Sequence, residues 1–306
     1  MIEARGLQKR FGNFQALKGI DINVKKGEIY GFLGHNGAGK STTMNILTGF
    51  SKADAGSCIV NGWDIAKVAH PGDLHLGYLP EEPKFYPWMT AQESLYYLGN
   101  LWTQGSVEKR VEELLQWVGL DKAAKRKVGG FSRGMRQRLG MAAALFYDPD
   151  LLMLDEPSSA LDPEGRSDVL NLILDLKARG KTVFVSTHIL SDAERVCDRV
   201  GILSQGQMII EKSLETLLAE NVQSIYDIVF NKPCEPEILA RIKQLPGIQE
   251  VNGKNERLSV WVETPESSGK ALFSLFGTAD IMVQSCALRR ATLEDIFLEE
   301  VGKGVL

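Results

Sequence analysis

Apolar positions along this chain come in short unbroken runs, each closing on polar residues. Residues 29–33 (IYGFL) predict a strand, and the glycine-rich stretch after them gives way to a helical pattern that starts near Lys40 and stops by Gly49. A second run at 151–154 (LLML) follows Asp148 and Pro149 and ends in Asp155 and Glu156. A third, inside KTVFVSTH, ends on His188. Continuous apolar strands suit a parallel sheet covered on both faces, and strands separated by helical patterns predict a mostly parallel α/β sheet.

Between the first two runs the pattern turns helical. Thr90 and Glu93 have the spacing of a capping box that opens a helix through ESLYYLGNLW. Val107, Val111, Leu114, Leu115 and Val118 then recur on one helical face, and Ser132 precedes a further helix, MRQRLGMAAALF. A helical subdomain is therefore expected at about 87–147. After about residue 220 the strands SIYDIVF, GIQEVN, RLSVWVE and DIMVQSCA alternate with the helices EPEILARIKQL and ESSGKALFSLF. That β-α-β-β-α-β order predicts a small ferredoxin-like α+β domain at 221–306, closed by a last helix, TLEDIFLEEVG. No glycine-rich loop or metal cluster stands out in it.

Composition narrows the possibilities. With 306 residues, 44% apolar and 24% charged, the chain is long enough for two folded domains. A formal net charge of -4 argues against a broad nucleic-acid surface, so no nucleic-acid partner is expected. Cys58, Cys197, Cys234 and Cys286 form no C-x-x-C pair and read as free thiols in a reducing cytosol. His70 and His75 flank a Pro-Gly turn without metal-ligand spacing. The N-terminus is charged from its third residue, and no run approaches a membrane span, so the chain itself is expected neither to be secreted nor to cross a bilayer.

The chemistry gathers where the strands end. Residues 34–43 (GHNGAGKSTT) match the phosphate-binding loop pattern at Gly34, Gly39, Lys40 and Ser41, with His35, Asn36, Gly37, Ala38 and Thr42 filling it. A strand before such a loop and a helix after it let backbone N–H groups converge on phosphate oxygens, with Lys40 reaching the β/γ-phosphates and Ser41 ligating Mg²⁺. Asp155 can hold Mg²⁺ through its water shell, and Glu156 can orient or deprotonate an attacking water. His188, taken alone, reads equally as a capped loop histidine. Ser132 and the Gly134 N–H stand at a helix N-terminus, a natural anion site in a chain that already has a phosphate loop.

The stretch FSRGMRQRLGMAAALFYDPDLLMLDEPSSALDPEG decides among nucleotide-using machines. A Ser-x-Gly turn opens a helix, an apolar strand then ends in Asp-Glu, and SALD follows. This resembles the ATP-binding-cassette ATPase family over about residues 1–220. The resemblance makes 131–135 the signature motif, 151–156 the second acidic motif, and 159–162, ending in Asp162, the D-loop. It places His188 as the switch histidine beside the γ-phosphate and Phe11 as the aromatic stacked on adenine.

What the resemblance implies is a P-loop NTPase cassette at 1–220 that binds ATP and Mg²⁺. Two cassettes, a homodimer or a cassette heterodimer, would close head to tail, each signature turn covering the γ-phosphate held by the other. Arg133 and Met135 depart from the usual Leu-Ser-Gly-Gly-Gln, and Glu81 stands where the family usually has Gln, from which it could still contact the Mg²⁺ site. Both substitutions resemble those of a prokaryotic exporter-type subclass whose cassette and permease are separate polypeptides. Hydrolysis would then drive an integral-membrane permease, placing the chain in the cytoplasm, peripheral on the inner face of the cell membrane. Phe85, Tyr86, Trp88 and Met89, in the Pro-bounded segment PKFYPWM, suggest the contact surface, unless some of them anchor the helical block internally.

Overall fold

The computed structural model of the protein describes residues 1–278 and 282–303. The chain divides into two compact units, one built on Met1–Glu215 and the other on Thr216–Glu299. The first unit begins with β1 (Ile2–Phe11), β2 (Phe14–Val24), β3 (Ile29–Leu33), α1 (Lys40–Leu47), β4 (Ala55–Val60), β5 (Trp63–Asp64) and β6 (Leu76–Leu79). Three helices follow, α2 (Ala91–Leu98), α3 (Val107–Trp117) and α4 (Arg133–Ala144). The chain then runs through β7 (Leu151–Asp155), α5 (Pro163–Ala178), β8 (Thr182–Thr187), α6 (Leu190–Val196), β9 (Arg199–Ser204), β10 (Gln207–Ser213) and α7 (Leu214–Glu220).

The central sheet has the order β10-β9-β3-β8-β7-β6, parallel except where β10 pairs antiparallel with β9. Every residue of β3, β7 and β8 is buried, which is why these strands are the unbroken apolar runs of the sequence. A second sheet, β2-β1-β4-β5, is antiparallel, and its Ile2, Leu7, Leu17, Ile20 and Val60 join Phe32, Met44 and Phe184 in one core. Inside that core the Phe184 ring stacks on Tyr30 at 5.4 Å and tilts against Phe32 at the same distance. The helical block between β6 and β7 is as the pattern indicates. Thr90 and Glu93 make a reciprocal capping box on α2, and Val111, Leu114, Leu115 and Val118 bury one side of α3. The helix expected through ESLYYLGNLW is shorter, ending at Leu98 and passing into a 3-10 turn at Gly99–Leu101.

The second unit contains β11 (Val222–Phe230), α8 (Pro236–Lys243), β12 (Ile248–Lys254), β13 (Arg257–Val262), α9 (Pro265–Thr278) and β14 (Val283–Arg290), and α10 (Leu293–Lys303) follows. Its sheet is ordered β12-β13-β11-β14 with every pair antiparallel, the topology of a ferredoxin-like fold. Tyr226, Ile228, Phe230, Leu258, Val260 and Val262 point to one face and pack with Leu272, Leu275 and Phe276 of α9 and Ile242 of α8. Asp280 and Ile281, the first positions of the strand expected there, lie outside the described residues.

Candidate functional site

The site forms where β3, β7 and β8 release their carboxyl ends side by side. Open parallel sheets carry their ligand crevice at that edge. β3 hands over to the loop at 34–39, and α1 begins at Lys40, leaving its first-turn N–H groups without intrahelical partners. Gly39 has φ +114°, and a Cβ there would stand 2.9 Å from the Ala16 carbonyl oxygen, so only glycine serves. The loop is braced from outside by Gly206 in the β9–β10 turn. Its N–H donates to the Ala38 carbonyl at 2.9 Å, and its carbonyl accepts the Lys18 N–H at 2.8 Å.

Lys40 is 6% exposed, and its ammonium is held inside the loop it serves. Nζ donates to the carbonyls of Gly34 at 2.7 Å and His35 at 3.3 Å, and lies 3.4 Å from Glu156 Oε1. The other carboxylate oxygen of Glu156 is 2.8 Å from His188 Nδ1. Glu156 thus bridges Lys40, the first residue of α1, and His188, just after β8, while staying 7% exposed. Its backbone is left-handed, with φ 46°, an uncommon conformation for a residue with a side chain, and its N–H is anchored to the Ser186 carbonyl at 2.9 Å. Neighbouring Asp155 is buried, and burial pushes its carboxyl above the ordinary value. The carboxylates of Glu156 and Glu81 reinforce that rise and the Lys40 ammonium opposes it. Ser41 and Thr42 lie in the first turn of α1, beside this group.

Lys40, Asp155, Glu156 and His188 therefore meet in one cluster, with Glu81 close enough to act on Asp155 electrostatically. Ser132, Gly134 and Asp162 do not join them by any hydrogen bond or ion pair among the described residues. Ser132 is the N-cap of α4, its hydroxyl accepting the Met135 N–H at 3.2 Å. Asp162 caps α5, taking the Gly165 N–H at 3.0 Å. These two helix starts are neighbours, since a Cβ on Gly134 would lie 3.9 Å from Leu161. Phe11 stands at the tip of the β1–β2 hairpin, 55% exposed, with the Lys9 ammonium 5.6 Å from its ring centre. Its cross-strand partner Phe14, 64% exposed, is a second open ring that the pattern reading passed over. The signal was present as an aromatic pair flanking Gly-Asn, the composition of a tight hairpin.

Chemically, the arrangement offers a nest of N–H donors with an embedded cation, a buried carboxylate beside that cation, and an imidazole touching the carboxylate. The sequence model for the ABC transporter domain matches residues 17–159. A linearmycin resistance ATP-binding protein of Bacillus subtilis is 33% identical over 309 residues, covering 99% of both chains. A bacitracin transport ATP-binding protein of Bacillus licheniformis is 35% identical over 308 residues, covering 100% of this chain and 99% of its own. Among solved structures, a dimeric post-hydrolysis state of an ATP-binding cassette bound to ADP and Pi superposes with TM-score 0.64 and 27% identity, over 70% of this chain and 99% of that one. With loop, acidic strand end and histidine assembled in one crevice, and relatives matched from end to end, the chain belongs to the ABC transporter family as an ATP-binding subunit, an ATPase.

Proposed function

We propose that Glu156 is the general base of hydrolysis, Lys40 the cation on the β/γ-phosphates, and His188 the group that contacts the γ-phosphate and holds Glu156. The observation that carries this is the Glu156 carboxylate, set between Lys40 Nζ at 3.4 Å and His188 Nδ1 at 2.8 Å at the mouth of the phosphate loop. Water is deprotonated by a carboxylate only within hydrogen-bond reach, and the Glu156 carboxylate reaches the loop's own lysine at 3.4 Å. Gly34, His35, Asn36, Gly37, Ala38, Gly39, Ser41 and Thr42 cradle the phosphates, and Phe11 takes the adenine with Phe14 beside it.

The residues also suit Mg²⁺. Three carboxylates, Asp155, Glu156 and Glu81, raise the local negative potential against one ammonium, which a divalent cation would relieve. Ser41, Asp155 and Glu81 would hold it, and bound there it would neutralise charge on the phosphates.

Ser132 and Gly134 cannot serve the phosphates bound by their own chain if they cap a separate helix start. They serve a second cassette, with Asp162 at the same contact, so ATP closes a sandwich of two chains. The names of the relatives, linearmycin resistance and bacitracin transport, support export through a separate permease. Among the described residues no helix is long and apolar enough to cross a membrane, so attachment to the membrane would come from the permease. Tyr86 and Trp88 are exposed with rings 4.9 Å apart, and Phe85 and Met89 are half-buried. Tyr86→Ala with Trp88→Ala is expected to cut the membrane-bound fraction in cells about tenfold, the scale of losing an aromatic hot spot, and to leave ATP affinity within about threefold. Loss of nucleotide binding would assign these rings to the fold instead.

The cassette is assigned to 1–220 and the accessory domain to 221–306. A chain ending at residue 220 is expected to fold and bind ATP, because the core of the first unit is complete without the second. Circular dichroism showing an unfolded truncation would refute that division.

A further inference from the structure

Asp192 stands outside the site described above and is 4% exposed. It occupies the first turn of α6, four residues after His188. One of its carboxylate oxygens accepts the Ser158 hydroxyl at 2.6 Å, and the other accepts Arg166 Nε at 2.6 Å. The same guanidinium donates through Nη2 to the Ser191 hydroxyl at 2.7 Å. Ser158 is itself 2% exposed and lies two residues after Glu156, inside the loop that ends at Asp162. Arg166 lies in α5, four residues after Asp162. A second clasp, Arg195 Nη2 to Asn171 Oδ1 at 2.8 Å, ties α6 to α5 further along.

One buried carboxylate therefore joins three segments: the stretch behind His188, the loop behind Glu156, and the helix that Asp162 caps. We infer that Asp192 is a positioning residue for hydrolysis, fixing the His188 and Glu156 segments and the start of α5 as one unit through Ser158 and Arg166. Both of its carboxylate oxygens are taken by protein donors. Its effect is on where Glu156 and His188 stand, and through α5 on where Asp162 meets a second cassette. Buried charge is costly unless paired, so a carboxylate used only for packing would be a poor choice here. A bidentate clasp at 2.6 Å on both oxygens instead holds its partners to narrow tolerances, and a displacement of about 1 Å at the reacting groups costs about a hundredfold in rate.

This rests on the role proposed for Glu156, and the test separates the two. Steady-state ATPase rates of the full chain would be measured for Asp192→Asn, Ser158→Ala, Arg166→Gln and Glu156→Gln, with ATP affinity taken independently from a fluorescent analogue. Asp192→Asn and Ser158→Ala are expected to lower kcat by about ten- to a hundredfold while KM and analogue affinity stay within about threefold, the pattern of a group whose contribution appears only in the chemical step. The Asp192→Asn and Arg166→Gln double variant is expected to be no slower than the worse single one, because both break the same clasp. Asp192→Glu, which keeps the charge, should recover part of the rate. If Asp192→Asn fails to fold, Ser158→Ala decides, since it removes one hydroxyl and no charge. Rates within twofold of the parent in both variants, or a loss of ATP affinity equal to the loss of rate, would overturn the inference. Parental activity in Glu156→Gln would instead refute the general-base reading and leave the clasp result to be judged on its own kcat and KM.

Discussion

Glu156→Gln is expected to keep nucleotide and to lose turnover by about a hundredfold or more, the usual scale for removing a general base, equivalent to about 2.7 kcal/mol of barrier. The amide preserves the shape of the side chain and retains an oxygen for the Lys40 ammonium, now 3.4 Å from the carboxylate. It cannot take a proton from water. The left-handed backbone at φ 46° and the hydrogen bond to Ser186 do not depend on the side-chain charge, so the loop should hold its course. A single-turnover assay with saturating ATP checks this directly, and a parental rate would remove Glu156 from the chemistry.

Lys40→Ala is expected to lower ATP affinity by at least about ten- to a hundredfold, because a charged hydrogen bond contributes about 1.5–3 kcal/mol and the sequence GHNGAGKSTT holds no other lysine or arginine. Calorimetric titration with Mg²⁺ present measures it, and unchanged affinity would refute the role of Lys40. The same variant leaves Glu156, 7% exposed, with His188 as its remaining partner. Each kcal/mol lost there would lower the unfolding midpoint by about 2–4 °C, so affinity should be compared at a temperature where both proteins are folded.

The strands that carry the site were legible because burial on both faces leaves only apolar residues in them, as in β3, β7 and β8. Helix starts were equally readable, because Thr90 and Ser132 supply side-chain acceptors for the N–H groups of Glu93 and Met135. The antiparallel sheet was not. β1 has one exposed face, and its pairing with β2 is interrupted between Ala4 and Leu7, between Leu7 and Gln8, and between Lys9 and Arg10, which scrambles the alternation a strand pattern needs. Asp162 looked like a site residue and is, within its own chain, a helix cap. Asp192 lies in the first turn of α6, where an acidic side chain is solvated by default. Only the fold brings it to Ser158, 34 positions away, and to Arg166, 26 positions away. Proximity of this kind has no periodicity and no motif.

The sandwich itself is tested by the molar mass of the Glu156→Gln chain in light scattering at high protein concentration. With ATP and Mg²⁺ the mass should double, since the γ-phosphate persists and each Ser132 and Gly134 turn keeps its anion. Without nucleotide, and in the parent once its ATP is spent, the mass should be that of one chain. A variant that binds ATP, fails to hydrolyse it and remains monomeric at saturation would contradict the two-chain site.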